Sequence, residues 1–99
     1  MKARIHLILH GRVQGVWYRL STRRHALMNN LKGWVMNLPD KTVEIIAEGE
    51  KDKLRDLVIW CHKGPILSRV EKVDMKWEKY KKEFTTFSIK YYKGSLSNG

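Results

Sequence analysis

Residues 10–19 read HGRVQGVWYR, and the chemistry this spacing offers is anion binding. Gly11 and Gly15 let the main chain curl tightly and leave its N–H groups uncovered. Arg19 ends the stretch with a planar, permanently charged fork that fits two oxygens of a phosphoryl group. Bare N–H groups beside a guanidinium make a seat for an anion. The stretch is neither GxGxxG nor a Walker loop, which argues against dinucleotides and ATP. Taken alone it leaves two other readings open. Glycine turns before helices also serve as plain connections, and an arginine at a helix start also pairs with a carboxylate.

The hydrophobic pattern says what must position this stretch. Ile5, Leu7 and Leu9 alternate with Arg4, His6, Ile8 and His10, which predicts a strand over 3–10 with one apolar face. A helix follows from about 19 to 31, with Leu20, Ala26, Leu27 and Leu31 as its apolar stripe and Gly33 as its stop. The segment WVMN at 34–37 is β-like, LPDK is a turn, and TVEIIAE at 42–48 puts Val43, Ile45 and Ala47 on one face. Those two strands form a hairpin, in which Asn37 shares the face of Val35 and opposes Trp34 and Met36. In the second helix Leu54, Leu57, Val58 and Cys61 fall at i, i+3, i+4 and i+7, closed by Gly64 and Pro65. Val73, Met75 and Trp77 alternate in a fourth strand, and Phe87, Ile89 and Tyr91 in a fifth. EKYKKE between them reads as a solvated hairpin turn. The order β-α-β-β-α-β-β fits an α+β fold of the split βαβ kind (βαββαβ). Its antiparallel sheet has four to five strands and carries two helices on one face.

A chain of 99 residues, 42% hydrophobic and 30% charged, is expected to form one globular domain over 1–93, with GSLSNG at 94–99 a disordered tail. Its net charge of +10 favours anionic partners, although a solvated lysine-rich surface accounts for the same number. Cys61 is the single cysteine, so no intramolecular disulfide and no zinc site built on paired cysteines can form. It reads as a small buried hydrophobe. His6, His10, His25 and His62 show no metal-ligand spacing and read as surface or strand-face residues; no metal is expected. Trp34, Trp60 and Trp77 read as packing against or flanking the core, and Trp17, in the loop, as edging the pocket. The apolar run Ile5 to Leu9 is too short to span a membrane, and a cytoplasmic monomer is the expectation.

The stretch GRVQGVWYR at 11–19, followed by GWVMNLPDKTVE at 33–44, resembles the acylphosphatase family, whose patterns are G-x-V-Q-G-V-x-[FY]-R and G-W-V-x-N-x-x-D-G-x-V-E. The resemblance runs from about residue 3 to 92. It implies a ferredoxin-like hydrolase of carboxyl-phosphate anhydrides that needs no metal or cofactor. Carried over, the backbone of Arg12, Val13, Gln14, Gly15, Val16, Trp17 and Tyr18 cradles the phosphate. Arg19 binds its oxygens, and Asn37 holds the attacking water. The Gln14 side chain braces the loop sooner than it touches substrate. Inorganic phosphate, the product, is then expected to inhibit. This chain departs from the pattern at Lys41, where the family has glycine; if that position needs positive φ, lysine costs about 1 kcal/mol there. Tyr18 replaces phenylalanine, and its hydroxyl needs a partner if buried.

The alternative is a basic nucleic-acid-binding module on the same fold, which the charge would suit. The stacking signature [K/R]-G-[F/Y]-[G/A]-F-V-x-[F/Y] is absent, which argues against it.

Overall fold

A computed structural model describes residues 1–93; the expected tail at 94–99 lies outside the described residues. The elements are β1 (Lys2–Arg12), α1 (Tyr18–Met28), β2 (Lys32–Asn37), β3 (Val43–Glu50), α2 (Lys51–Lys63), β4 (Arg69–Glu78) and β5 (Phe87–Tyr91). They build one five-stranded sheet in the order β4-β1-β3-β2-β5. The first six elements are the expected βαββαβ unit, in which every strand pair is antiparallel. The antiparallel expectation needs one correction: β5 runs parallel to β2 at the far edge, so the sheet is mixed.

Strand alternation sorts the sheet into two faces. In register, Ile5 faces Ala47, Leu7 faces Ile45 and Leu9 faces Val43, while Val35 faces Ile45 from β2. All six side chains from β1 and β3, and Val35, are fully buried with Leu54, Leu57 and Cys61 of α2 and Phe87 of β5. The helices cover this face, and burying it is the main force that holds the fold.

Helix α1 is shorter than its sequence pattern suggests. It stops at Met28, with Asn29 as its cap and Asn30 at φ 57°, and Gly33 lies inside β2. Its buried face is Tyr18, Thr22 and Ala26. Leu20 and Leu27, expected on the apolar stripe, are exposed, and Leu31 is buried from a position beyond the helix. Thr22 reaches the buried face because its hydroxyl donates to the Tyr18 carbonyl at 2.8 Å, so its polar group needs no water.

The segment 78–83 is not a hairpin turn. Strands β4 and β5 lie at opposite edges, so residues 79–86 must cross the sheet. Glu48, on the face away from the helices, anchors that crossing. Its buried carboxylate accepts N–H bonds from Lys81 at 2.7 Å and Glu83 at 2.9 Å. Arg4, opposite Glu48 in register, bonds Glu78 at 3.1 Å and Glu83 at 2.5 Å, and Phe84 packs on its guanidinium. The charges of EKYKKE therefore include buried partners that local pattern cannot reveal.

Candidate active site

The loop between β1 and α1 is built by glycine geometry and apolar anchors. At Gly11 the strand breaks register with β4, and a Cβ there would sit 2.1 Å from the Arg69 carbonyl oxygen. Gly15 takes φ 71°, which reverses the chain without a side chain to clash. Val13, Val16 and Tyr18 point inward and are buried, which fixes the loop between them. The Tyr18 hydroxyl has the partner its burial requires: it donates to the Cys61 carbonyl at 2.6 Å. Burial raises the Tyr18 pKa, and burial pushes the Cys61 thiol up to about 12, so neither group ionises near neutrality.

With the side chains anchored, the main chain faces outward. Among the described residues, the N–H groups of Gln14, Gly15, Val16, Trp17 and Tyr18 donate to no protein acceptor, whereas that of Val13, expected in the cradle, donates to the Gly11 carbonyl at 3.1 Å. Trp17 is the N-cap of α1 and offers no side-chain cap, and the first turn carries no acidic residue. The positive end of the helix thus meets no acidic side chain from its own first turn.

A cavity of about 580 Å³ lies against this loop, and its lining includes Arg12, Gln14, Gly15, Arg19, Asn37 and Lys41. Three of these are cations and none is a carboxylate. Among the described residues no ion pair uses Arg12, Arg19 or Lys41. Arg19 instead rests over the ring of Tyr91, 5.4 Å from its centroid. The carboxylate pairing that the sequence leaves open for Arg19 is not what the structure shows.

Asn37 enters the cavity from the end of β2, on the helix-covered face as its alternation with Val35 predicts. Its Oδ1 is buried and accepts no hydrogen bond among the described residues. A buried acceptor without a donor is uncommon in folded proteins and calls for a ligand or water. The turn after Asn37 is tied to the loop by Gln14, whose Nε2 donates to the carbonyls of Leu38 at 2.9 Å and Thr42 at 2.8 Å. The Gln14 side chain is thus a brace, as expected, while its N–H stays in the outward-facing run. Asp40 tightens the same turn. It accepts bonds from the Thr42 hydroxyl at 2.5 Å and N–H at 3.1 Å, which hold its carboxyl below the usual range. Lys41 takes φ 73°, the left-handed conformation in which glycine would be unstrained.

The remaining candidates fall elsewhere. His6 and His10 lie on the uncovered sheet face, sharing hydrogen bonds with Glu44 at 2.6 Å and Asp74 at 2.8 Å. His25 stacks on Trp60, while Trp34 packs under Lys90 on the uncovered face. Among the described residues no group of His, Cys, Asp and Glu could hold a metal ion, and no helix is long and apolar enough to cross a membrane. Tyr91 is the site residue that sequence reasoning places only as a strand position. Its role depends on β5 pairing with β2, which sets Tyr91 opposite Asn37.

Fold and site together define a ferredoxin-like α+β domain with a pocket at the start of its first helix whose lining includes Arg12, Arg19 and Lys41. The acylphosphatase family model matches residues 5–89, and the chain belongs to that family of acyl-phosphate hydrolases. It is 46% identical to an acylphosphatase of Methylococcus capsulatus over 87% of this chain and 94% of that one. It is 47% identical to one from Roseiflexus sp. over 88% and 94%. The crystal structure of the Bacillus subtilis acylphosphatase superposes with a TM-score of 0.87 at 34% identity, covering 92% of this chain and all of that one.

Proposed function

We propose that the cavity at the start of α1 binds the phosphoryl group of an acyl phosphate and that Asn37 aims the water that attacks it. The outward N–H groups of residues 14–18 and the Arg19 guanidinium hold the phosphoryl oxygens; Arg12 adds positive charge at the rim. The observation that carries this reading is the buried, unbonded Asn37 Oδ1 in the same cavity as Arg19. An amide oxygen cannot take a proton near neutrality, but it can accept one hydrogen bond and so fix the orientation of a water. That water adds to phosphorus as the bond from phosphorus to the acyl oxygen breaks. The electron pair leaves on the carboxylate, and the water's proton passes to a phosphoryl oxygen. Carboxylates leave readily, so no strong general acid is required. The transition state is loose, so positioning and charge stabilisation supply most of the rate.

No step calls on a metal or cofactor. Inorganic phosphate fits the same seat and should inhibit competitively; the protein acts as a cytoplasmic monomer. Replacing Arg19 by alanine tests the assignment, because Arg19 both binds phosphate and meets developing charge. A loss in kcat/KM for benzoyl phosphate on the order of 100-fold or more is expected, with weaker phosphate inhibition. Wild-type turnover in Arg19→Ala would refute it.

A further inference from the structure

We infer, on the strength of the phosphate site proposed above, that the substrate's acyl group occupies a second cavity beside that site, and that this protein favours acyl phosphates with bulky apolar acyl groups. This cavity, of about 420 Å³, is walled by Trp17, Leu20, Ile89 and Tyr91. It shares Val13, Gly15 and Arg19 with the phosphate cavity but does not include Asn37. In-line displacement puts the leaving oxygen on the side of phosphorus away from the attacking water. Asn37 holds the water, so the acyl group departs on the side that Asn37 does not border. Arg19 borders both cavities and can meet the charge that develops on the leaving carboxylate.

The walls support the same assignment. Trp17, Leu20 and Tyr91 are large and apolar, yet they are 68%, 51% and 63% exposed. Apolar side chains left in water and gathered around one cavity mark a ligand surface. Trp17 carries a second cost: its φ of 66° is strained for a bulky residue, and its exposed indole gains no core burial in return. Strain kept without a packing gain points to a contact made with substrate.

Acetyl, butyryl and hexanoyl phosphate separate this from simple reactivity, because their carboxylate leaving groups are nearly equal in acidity. The wild-type kcat/KM should rise about tenfold from acetyl to hexanoyl. In Leu20→Ser and Trp17→Gly that ratio should fall toward one. A flat series in the wild type, or a ratio unmoved by both substitutions, overturns the inference. The methylene analogues acetonylphosphonate and 2-oxoheptylphosphonate, measured by calorimetry, give a readout that needs no turnover. If the longer analogue binds about tenfold tighter and Leu20→Ser removes the preference in a protein that hydrolyses nothing, the acyl site stands and the hydrolytic reading fails. If the protein turns substrate over but binds the two analogues equally, the hydrolytic reading stands and the acyl site fails.

Discussion

The guanidinium of Arg19 lies over the ring of Tyr91, 5.4 Å from its centroid, and among the described residues Arg19 is the cation that borders both cavities. A cation over an exposed aromatic ring is held by about 0.5–1 kcal/mol. Tyr91→Ala is therefore expected to lower kcat/KM for acetyl phosphate about threefold, whereas Tyr91→Phe keeps the ring and the rate. Steady-state kinetics on the two variants checks the pair, and equal losses in both would assign the effect to the hydroxyl.

Gln14 joins the phosphate loop to the β2–β3 turn through two carbonyls. Gln14→Ala leaves those carbonyls without their donor and should cost about 1–3 kcal/mol in chemical denaturation. Because Asn37 sits at the head of that turn, kcat should fall with it, by about tenfold. A stability loss with kcat unchanged would mean that the loop and turn hold their relation without the brace.

Lys41 occupies a left-handed position with φ 73° and joins no ion pair among the described residues. Lys41→Gly should therefore raise stability by about 1 kcal/mol, a rise in Tm of several degrees for a domain of this size. Calorimetric scans of the two proteins decide it; a lower Tm for the glycine variant would show that the lysine side chain contributes more than its backbone costs.

His25 gives the fold an acid-sensitive element. Burial lowers its pKa from the ordinary 6.5, and its Nε2 is buried with no hydrogen-bond partner among the described residues while the ring stacks on Trp60. The unfolded chain thus takes up this proton before the folded one does. The stabilising contribution is complete above pH 6.5 and is lost as pH falls from there through the lowered value. Denaturation midpoints from pH 8 to 5 should decline, and His25→Phe should flatten the part of that decline nearest pH 6.

Which features are legible in the sequence depends on whether their partners are local. The phosphate loop and the Asn37 strand end each lie in one short stretch whose residue types carry their own geometry: glycine where φ is positive, alternation where a face is buried. Lys41 stands out only against the family pattern, which has glycine at that position of the turn; its φ of 73° fits that pattern. The stripe of α1 misleads because Leu20 and Leu27 look like core by type, while Thr22 reaches the core by bonding its own helix. EKYKKE is exposed over most of its length, as its charge suggests, but it is not the hairpin turn that its position between two strands suggests. Its true partner, the buried Glu48, lies more than thirty residues away along the chain. Tyr91 enters the site through the parallel β2–β5 pairing, which periodicity cannot encode.

In the proposed mechanism a neutral amide oxygen, not a titrating base, directs the water. Single-turnover and steady-state hydrolysis of acetyl phosphate by Asn37→Ala, with the inhibition constant for inorganic phosphate measured alongside, tests it most directly. Asn37→Ala should lower kcat by about 10²- to 10³-fold with phosphate affinity nearly unchanged. A variant that keeps the wild-type kcat, or that loses phosphate binding and turnover together, would contradict it.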